Sequence, residues 1–341
     1  MVLFVRGVKS YRMIAVTGAN GLLGSFIVRE LITLNQPFVA LKRKGSDTSL
    51  LSDVSDKITW RDGDVLNPQE LEEALENVTK VIHAAAVVSY NPRRASFVLD
   101  VNVQGTRNVV NECQAKKVKR LVHISSVAAL GRQKHQTFIN ETNQWVDSPL
   151  HSVYAESKYL AELEVFRAQE EGMNTVILNP SVILAPADWT KSSAQLFRYV
   201  WQERSFFTDA YLNYVDVRDV ASITCRLLDD TSLSGERYVI NAGKISFHDF
   251  FKAVAKRFRK RPPHLRLGHR LLDLAARTEV FRTWFTGSEP LLTRETARLA
   301  GTDFLYDNEK IKTALSVEFQ PIDVSLDWCC EYYLKKYVNK N

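Results

Sequence analysis

The stretch Met13-Ile14-Ala15-Val16-Thr17-Gly18-Ala19-Asn20-Gly21-Leu22-Leu23-Gly24 decides the fold. Met13 to Val16 is a short apolar run that reads as a buried strand. The run breaks at Thr17-Gly18, and Leu22, Leu23, Phe26, Ile27 and Leu31 then recur at helical spacing. Gly18, Gly21 and Gly24 stand three apart, each with its own task in a strand–turn–helix that holds a dinucleotide. Gly18 allows the sharp turn, Gly21 lets backbone approach a pyrophosphate, and Gly24 lets the helix pack close to the strand. The helix N-terminus adds free N–H groups and a partial positive charge for the phosphates. A ligand-free glycine loop is the bland alternative; the position between strand and helix favours the dinucleotide.

Downstream, Pro37 to Leu41 reads as a second strand, and Lys42-Arg43-Lys44 follows it. An acid at that place grips the ribose hydroxyls of NAD, whereas a guanidinium suits a 2′-phosphate. The expected cofactor is therefore NADP, with NAD as the alternative, and Arg43 is the candidate contact. A solvated basic loop is the competing explanation. Ile58 to Arg61 reads as a third strand leading to Asp64-Val65, and Pro68 to Asn77 as a helix. Lys80 to Ala86 reads as a fourth strand whose small end, Ala84-Ala85-Ala86, lets a dinucleotide lie against backbone. His83 is read as a packed strand residue. A long helix over 97–117, a fifth strand over 119–126, a second long helix over 152–171 and a sixth strand over 175–178, closed by Asn179-Pro180, complete the alternation. Such alternation predicts a parallel sheet covered on both faces.

Beyond residue 180 the pattern is less regular. Helices are expected at 195–201, from Tyr214 onward, at 246–260, 268–286 and 325–337, with a late strand at 237–240. The fold class is α/β: a doubly wound parallel sheet over 13–180 plus about 216–242, with a smaller discontinuous substrate domain from 181–215 and 243–335.

Composition bounds the rest. The chain is 45% hydrophobic and 25% charged, which is ordinary for a globular protein. Nothing approaches the roughly 18-residue apolar run of a transmembrane helix. Cys113, Cys225, Cys329 and Cys330 form no CxxC spacing, so a reduced, cytoplasmic protein is expected, without metal. The net charge of +6 attracts anions but is no nucleic-acid signal in itself. The basic segment Lys256 to Arg261, with Leu271, Leu272, Leu274, Phe281, Trp284 and Phe285 nearby, allows a membrane-surface role, but a solvated helix end is favoured. Residues 1–12 read as a loosely held extension, or as sequence preceding a functional start at Met13.

Tyr154-Ala155-Glu156-Ser157-Lys158 puts a phenol and an ammonium on one helix face. A free phenol ionises near pH 10, and a neighbouring cation favours the phenolate. Bringing that value to about 7 takes roughly 4 kcal/mol. Ser125-Ser126 ends the fifth strand, where a hydroxyl can hold a substrate carbonyl oxygen; a cap on the next turn is the alternative role.

These residues together resemble an extended short-chain dehydrogenase/reductase of the NAD-dependent epimerase/dehydratase kind, over nearly all of 13–335. Thr17-Gly18-x-x-Gly21-x-x-Gly24 resembles its cofactor turn, Asp64-Val65 its adenine contact, and Ala84-Ala85-Ala86 its cofactor floor. Asn102-x-x-Gly105-Thr106 resembles its helix motif, and Tyr214 to Ala221 a late structural signature. Ser126 and Tyr154-x-x-x-Lys158 resemble its catalytic set. The resemblance implies that the serine orients a carbonyl, the tyrosine is the acid/base, and the lysine binds ribose while acidifying the tyrosine. Ser126 fits better than Ser125, measured back from Gly131. The implied cofactor contacts are Gly18, Asn20, Gly21, Leu22, Leu23, Gly24, Arg43, Asp64, Val65, Ala84, Ala85, Ala86, Asn102, Tyr154, Lys158 and Pro180. Leu178 to Ser181 and Ile124 to Ser126 are similar to dihydroflavonol-reductase-type members, and Leu130 departs from the tyrosine usual in sugar-nucleotide epimerases. The expected function is an NADPH-linked reduction of a small ketone or aldehyde, or the reverse oxidation. An NAD-dependent sugar-nucleotide epimerase or dehydratase and a non-catalytic dinucleotide-binding regulator are the rivals. The expected partners are a small carbonyl/alcohol substrate and a second copy, paired through the helices at 97–117 and 152–171.

Overall fold

The computed structural model describes residues 13–131, 136–146, 151–189, 192–268 and 304–337. The extension read at 1–12, nearly all of the helix read at 268–286 and the apolar residues that follow the basic segment lie outside them.

The first half runs β1 (Met13–Thr17), α1 (Leu22–Thr33), β2 (Phe38–Lys42), β3 (Trp60–Asp62), α2 (Pro68–Ala74), β4 (Val78–His83), α3 (Ala95–Leu99), α4 (Gly105–Ala115), β5 (Arg120–Ile124), β6 (Phe138–Ile139), α5 (Val153–Glu170) and β7 (Thr175–Pro180). The second half runs β8 (Val182–Leu184), α6 (Gln195–Trp201), β9 (Phe206–Phe207), β10 (Tyr211–Asp216), α7 (Val217–Asp229), β11 (Glu236–Ile240), β12 (Gly243–Ser246), α8 (Phe247–Phe258), β13 (Leu265–Arg266) and β14 (Leu305–Tyr306), then the helices Glu309–Leu315 and Ile322–Tyr337.

The main sheet has seven strands in the order β3-β2-β1-β4-β5-β7-β11, all paired in parallel. Its central strands are buried on both faces, which is why they are mostly apolar. Alternate residues point to opposite faces. Ile14, Val16, Ile82 and Val122 pack against Ile27 and Leu31 of α1 and Val220 and Leu227 of α7. Ala15, Val81, Leu121 and Ile177 pack against Leu71 of α2, Val109 of α4 and Val165 of α5. From β1 the chain winds outward through β2 and β3, then returns to build β4 on the other side. The β1–β4 carboxyl ends are therefore a topological switch point, where doubly wound folds bind ligands.

A second sheet, β12-β10-β8, covers this end with a core from α6, α8 and the closing helix. Cys329 and Cys330 are buried in that core, and all four cysteines are free.

The elements differ locally from those expected from the sequence. The helix read from Tyr214 begins only at Val217, because Tyr211–Asp216 pairs with β8 and β12. Asp216 caps it, its carboxylate accepting the Arg218 N–H at 2.9 Å. The single long helix read at 97–117 is α3 and α4 joined by a π-helical turn at Asp100–Gln104. The fourth strand stops at His83, leaving Ala84 to Ala86 outside the ladder.

The basic segment ends α8, and two of its side chains are paired. Arg257 meets Asp323 at 2.8 Å and Asp327 at 2.6 Å, and the Lys260 ammonium lies over the Trp201 ring. Among the described residues no helix is long and apolar enough to cross a membrane.

Candidate active site

The glycine turn forms a cradle that side chains would fill. Gly18 has φ +65°, and a Cβ there would lie 2.7 Å from the Ala85 Cα. A Cβ on Gly24 would lie 2.1 Å from the Gly18 carbonyl oxygen. Gly21 begins α1 with no side-chain cap, so the first-turn N–H groups stay available to an anion. Thr17 fastens this turn to the Ala84–Ala86 segment: its hydroxyl accepts the Ala85 N–H at 3.2 Å and bonds His83 Nδ1 at 2.7 Å. The other His83 nitrogen meets the Thr106 hydroxyl at 3.0 Å. Burial, then the Lys158 charge, push the His83 pKa down to about 3, so it is a neutral packing residue.

The other dinucleotide candidates also follow strand ends. Arg43 is exposed just past β2, whereas Lys42 pairs with Asp62 at 3.0 Å. Asp64-Val65 follows β3. The Asp64 carboxylate accepts the Leu66 N–H at 3.0 Å, and Val65 is packed so close to Gly105 that a Cβ there would lie 2.7 Å from Val65 Cγ2. Asn20 donates to the Asp47 carbonyl at 2.9 Å. Leu22 packs toward the second core and Leu23 toward the main one. Pro180 ends β7 opposite Ile240.

Asn102 sits in the π-helical turn and is buried. Its amide accepts from Val87 N–H at 2.7 Å and donates to the Val87 carbonyl and the Ser157 hydroxyl, both at 2.9 Å. Its side chain thus clamps the segment beyond Ala86 to α5.

Ser152 caps α5, accepting the Ala155 N–H at 3.2 Å. That cap places Tyr154 in the first turn and Lys158 one turn on, both buried on the face toward the sheet. Lys158 Nζ donates to the Ile124 carbonyl at 2.7 Å, at the carboxyl end of β5. Two residues later, Ser126 accepts the Ala128 N–H at 3.1 Å and starts the turn Val127–Ala129, which packs on α5. That bond uses the oxygen as acceptor and leaves the hydroxyl proton to donate. Ser125 points elsewhere, donating to the buried Glu162 at 2.5 Å. The Tyr90 ring stands edge-on to the Tyr154 ring, with centroids 5.8 Å apart. Tyr90 is exposed, as are the neighbouring chain positions Val88 and, just past β7, Val182.

Burial pushes the Lys158 pKa down to about 8, and the Glu162 charge pulls it back up. Glu162, Ser157 and the buried His123, whose ring lies 5.2 Å from that of His83, are not among the candidates that the sequence singles out. Glu162 carried a signal: it continues the spacing of Tyr154 and Lys158 by one more turn.

The family model of the NAD dependent epimerase/dehydratase family matches residues 14–243. Sterol demethylase protein B of Methylococcus capsulatus is 27% identical over 308 residues, spanning 89% of this chain and 92% of that protein. A putative dihydroflavonol 4-reductase of Synechocystis is 32% identical over 236 residues, spanning 68% of each. The crystal structure of gox2253 superposes with a TM-score of 0.82 at 27% identity, covering 96% of this chain and 99% of the other. With its switch-point cradle, its parallel sheet and this match, the chain belongs to the NAD dependent epimerase/dehydratase family of enzymes.

Proposed function

We propose that this enzyme interconverts a carbonyl and an alcohol, with NADP(H) as the redox partner and reduction as the working direction. The observation that carries the reading is the Lys158 ammonium held 2.7 Å from the Ile124 carbonyl, one helical turn from Tyr154 and beside the strand end that bears Ser126.

The glycine cradle and the uncapped start of α1 fit the pyrophosphate of a dinucleotide, and exposed Arg43 fits a 2′-phosphate. A bound nicotinamide cofactor supplies or accepts the hydride. The chain's own residues handle the oxygen. Ser126 donates its hydroxyl proton to the carbonyl oxygen and holds it. Tyr154 delivers a proton to that oxygen in reduction and withdraws it in oxidation. Lys158 favours the phenolate of Tyr154 by its charge and, in this reading, bonds ribose. In this reading residues 13–180 and about 216–242 bind the cofactor, while 181–215 and 243–335 shape the substrate pocket. The Tyr90 ring, edge-on to Tyr154 at 5.8 Å, gives that pocket an aromatic side, which favours a ketone or aldehyde on an apolar body.

The test is NADPH oxidation by the purified protein against a panel of aryl and alicyclic ketones and aldehydes, with Tyr154→Phe as control. Turnover lost in Tyr154→Phe with NADPH binding retained supports the reading. A tightly retained NAD with no net NADPH consumption, and turnover of a sugar nucleotide, would replace it with the epimerase reading. Cofactor binding without turnover of either class would leave a regulator.

A further inference from the structure

Glu162 has no part in the Ser126–Tyr154–Lys158 set, yet it is completely buried. It lies one turn beyond Lys158 on the inner face of α5, as Lys158 lies one turn beyond Tyr154. An isolated carboxylate at such a place would be very unfavourable. Here three donors converge on it. The Ser125 hydroxyl reaches Oε1 at 2.5 Å, the Asn179 amide reaches the same oxygen at 2.6 Å, and Arg237 reaches Oε2 at 3.2 Å. Asn179 and Arg237 present only donors to the carboxyl, and the Ser125 hydroxyl donates as well, which favours the ionised form. Burial raises the Glu162 pKa above the usual carboxylate value, and the downward pulls of Ser125, Arg237 and Asn179 offset only part of that rise.

The same groups reach the strand ends that carry the chemistry. Asn179, at the end of β7, donates also to the Ser126 carbonyl at 2.9 Å. Arg237, on β11, donates to the Glu141 carbonyl at 2.6 Å and the Asn143 carbonyl at 2.8 Å. One carboxylate thus joins α5, β5, β7 and β11.

We propose that Glu162 is a positioning residue: its carboxylate is the built-in counter-charge of the Lys158 ammonium and locks the helix bearing Tyr154 to the strand end bearing Ser126. This rests on the proposed carbonyl/alcohol function. The groups facing Lys158 bear it out by elimination. His83 comes from β4 and His123 from β5, and both imidazoles are kept neutral by burial and by the Lys158 charge. Tyr154 comes from its own helix. Arg237 faces the Glu162 carboxylate. Among the described residues, Glu162 is the acid one helical turn from Lys158 on the same buried face of α5, where its charge favours the ammonium. Without it, the ammonium would sit buried among neutral rings, and would surrender its proton at lower pH.

The test is the Lys158 titration midpoint in the full-length protein, read by NMR of lysine labelled with carbon-13 at Cε and assigned with Lys158→Met. Glu162→Gln is expected to lower that midpoint by at least about one pH unit. Glu162→Asp, which keeps the charge, is expected to stay close to the parent. A merely structural clamp predicts the opposite ranking, with the shortened Asp more harmful than the isosteric Gln and no movement of Lys158 in either. An unmoved midpoint in folded Glu162→Gln overturns the proposal. If that variant does not fold, Ser125→Ala takes over: it removes one donor, makes Glu162 easier to protonate, and should move Lys158 the same way by less, and an unmoved midpoint again overturns the proposal. Phenolate absorbance, taken as parent minus Tyr154→Phe, separates the underlying reading. A Tyr154 phenol that ionises only near 10 defeats the catalytic assignment, whereas an unmoved Lys158 defeats only this inference.

Discussion

Lys158 and Ile124 are joined by a hydrogen bond of 2.7 Å between the side-chain ammonium and the backbone carbonyl. The bond fixes a flexible side chain at the carboxyl end of β5, so the cation is in place before any ligand arrives. Tyr154→Phe should lower kcat by about a hundredfold to ten-thousandfold, the usual worth of a positioned acid/base. NADPH binding, followed by fluorescence, should change little. Lys158→Met should impair both, because the same ammonium is assigned to ribose. Equal losses in the two variants for both quantities would separate Tyr154 from the chemistry.

Gly24 and Gly45 make a contrast between contact and strain. A Cβ on Gly24 would lie 2.1 Å from the Gly18 carbonyl oxygen, with no flexible side chain there to give way. Gly45 has φ +74° but nothing within 4 Å of an added Cβ. Gly24→Ala should therefore displace the turn, lower the melting temperature and weaken NADPH binding by more than about tenfold, or about 1.4 kcal/mol. Gly45→Ala should cost about 1–2 kcal/mol of backbone strain and leave NADPH affinity unchanged. Thermal melts and fluorescence titration of the two variants check this; comparable binding losses would contradict it.

What was readable in the sequence was what local backbone chemistry specifies. Gly18, Gly21 and Gly24 lie between an apolar run and a helical repeat, and the structure turns there. Tyr154 and Lys158 were placed on one face by helical spacing alone. Tyr214 was misread because its strand depends on partners: β10 exists by pairing with β8 and β12, one preceding it and one following it in the chain. The π-helical turn at Asp100–Gln104 escaped for a related reason, since Asn102 is held by Val87 and Ser157, the latter 55 residues away. Arg237 gave no local signal either. Its meaning comes from Glu162, at a separation of 75 residues.

Arg43 is where the proposed preference for NADP can be tested. Its guanidinium is exposed beyond β2, where the neighbouring Lys42 is already engaged with Asp62. A hydrogen bond to a charged group contributes roughly 1.5–3 kcal/mol. Arg43→Glu replaces it with repulsion toward a 2′-phosphate and offers a carboxylate to ribose hydroxyls. The expected result is an NADPH Kd raised by at least about tenfold, with NADH affinity equal or improved. Parallel titrations with the two cofactors decide it, and an unchanged ratio would remove Arg43 from the site.

The buried ammonium of Lys158 also implies an opposition between stability and activity. Burial lowers its pKa from 10.5 to about 8 in the folded protein. In the unfolded chain the lysine keeps its ordinary value, so between about 8 and 10.5 the unfolded state binds more protons. Stability from this group therefore rises with pH across that window. Below it, where both states are protonated, the folded protein bears the whole penalty of the buried charge. A difference of about 2.5 pH units corresponds to roughly 3 kcal/mol, less about 1 kcal/mol when the Ile124 carbonyl loses its partner. Lys158→Met should thus be inactive yet more stable than the parent near pH 7. That advantage should shrink as pH rises from about 8 to 10.5. Turnover of the parent should fall over the lower part of the same window, as Lys158 loses the charge that the proposed mechanism uses to acidify Tyr154. Denaturant unfolding of both proteins at a series of pH values measures the gap; a gap that stays constant or widens would mean that Lys158 is not a buried ammonium at neutral pH.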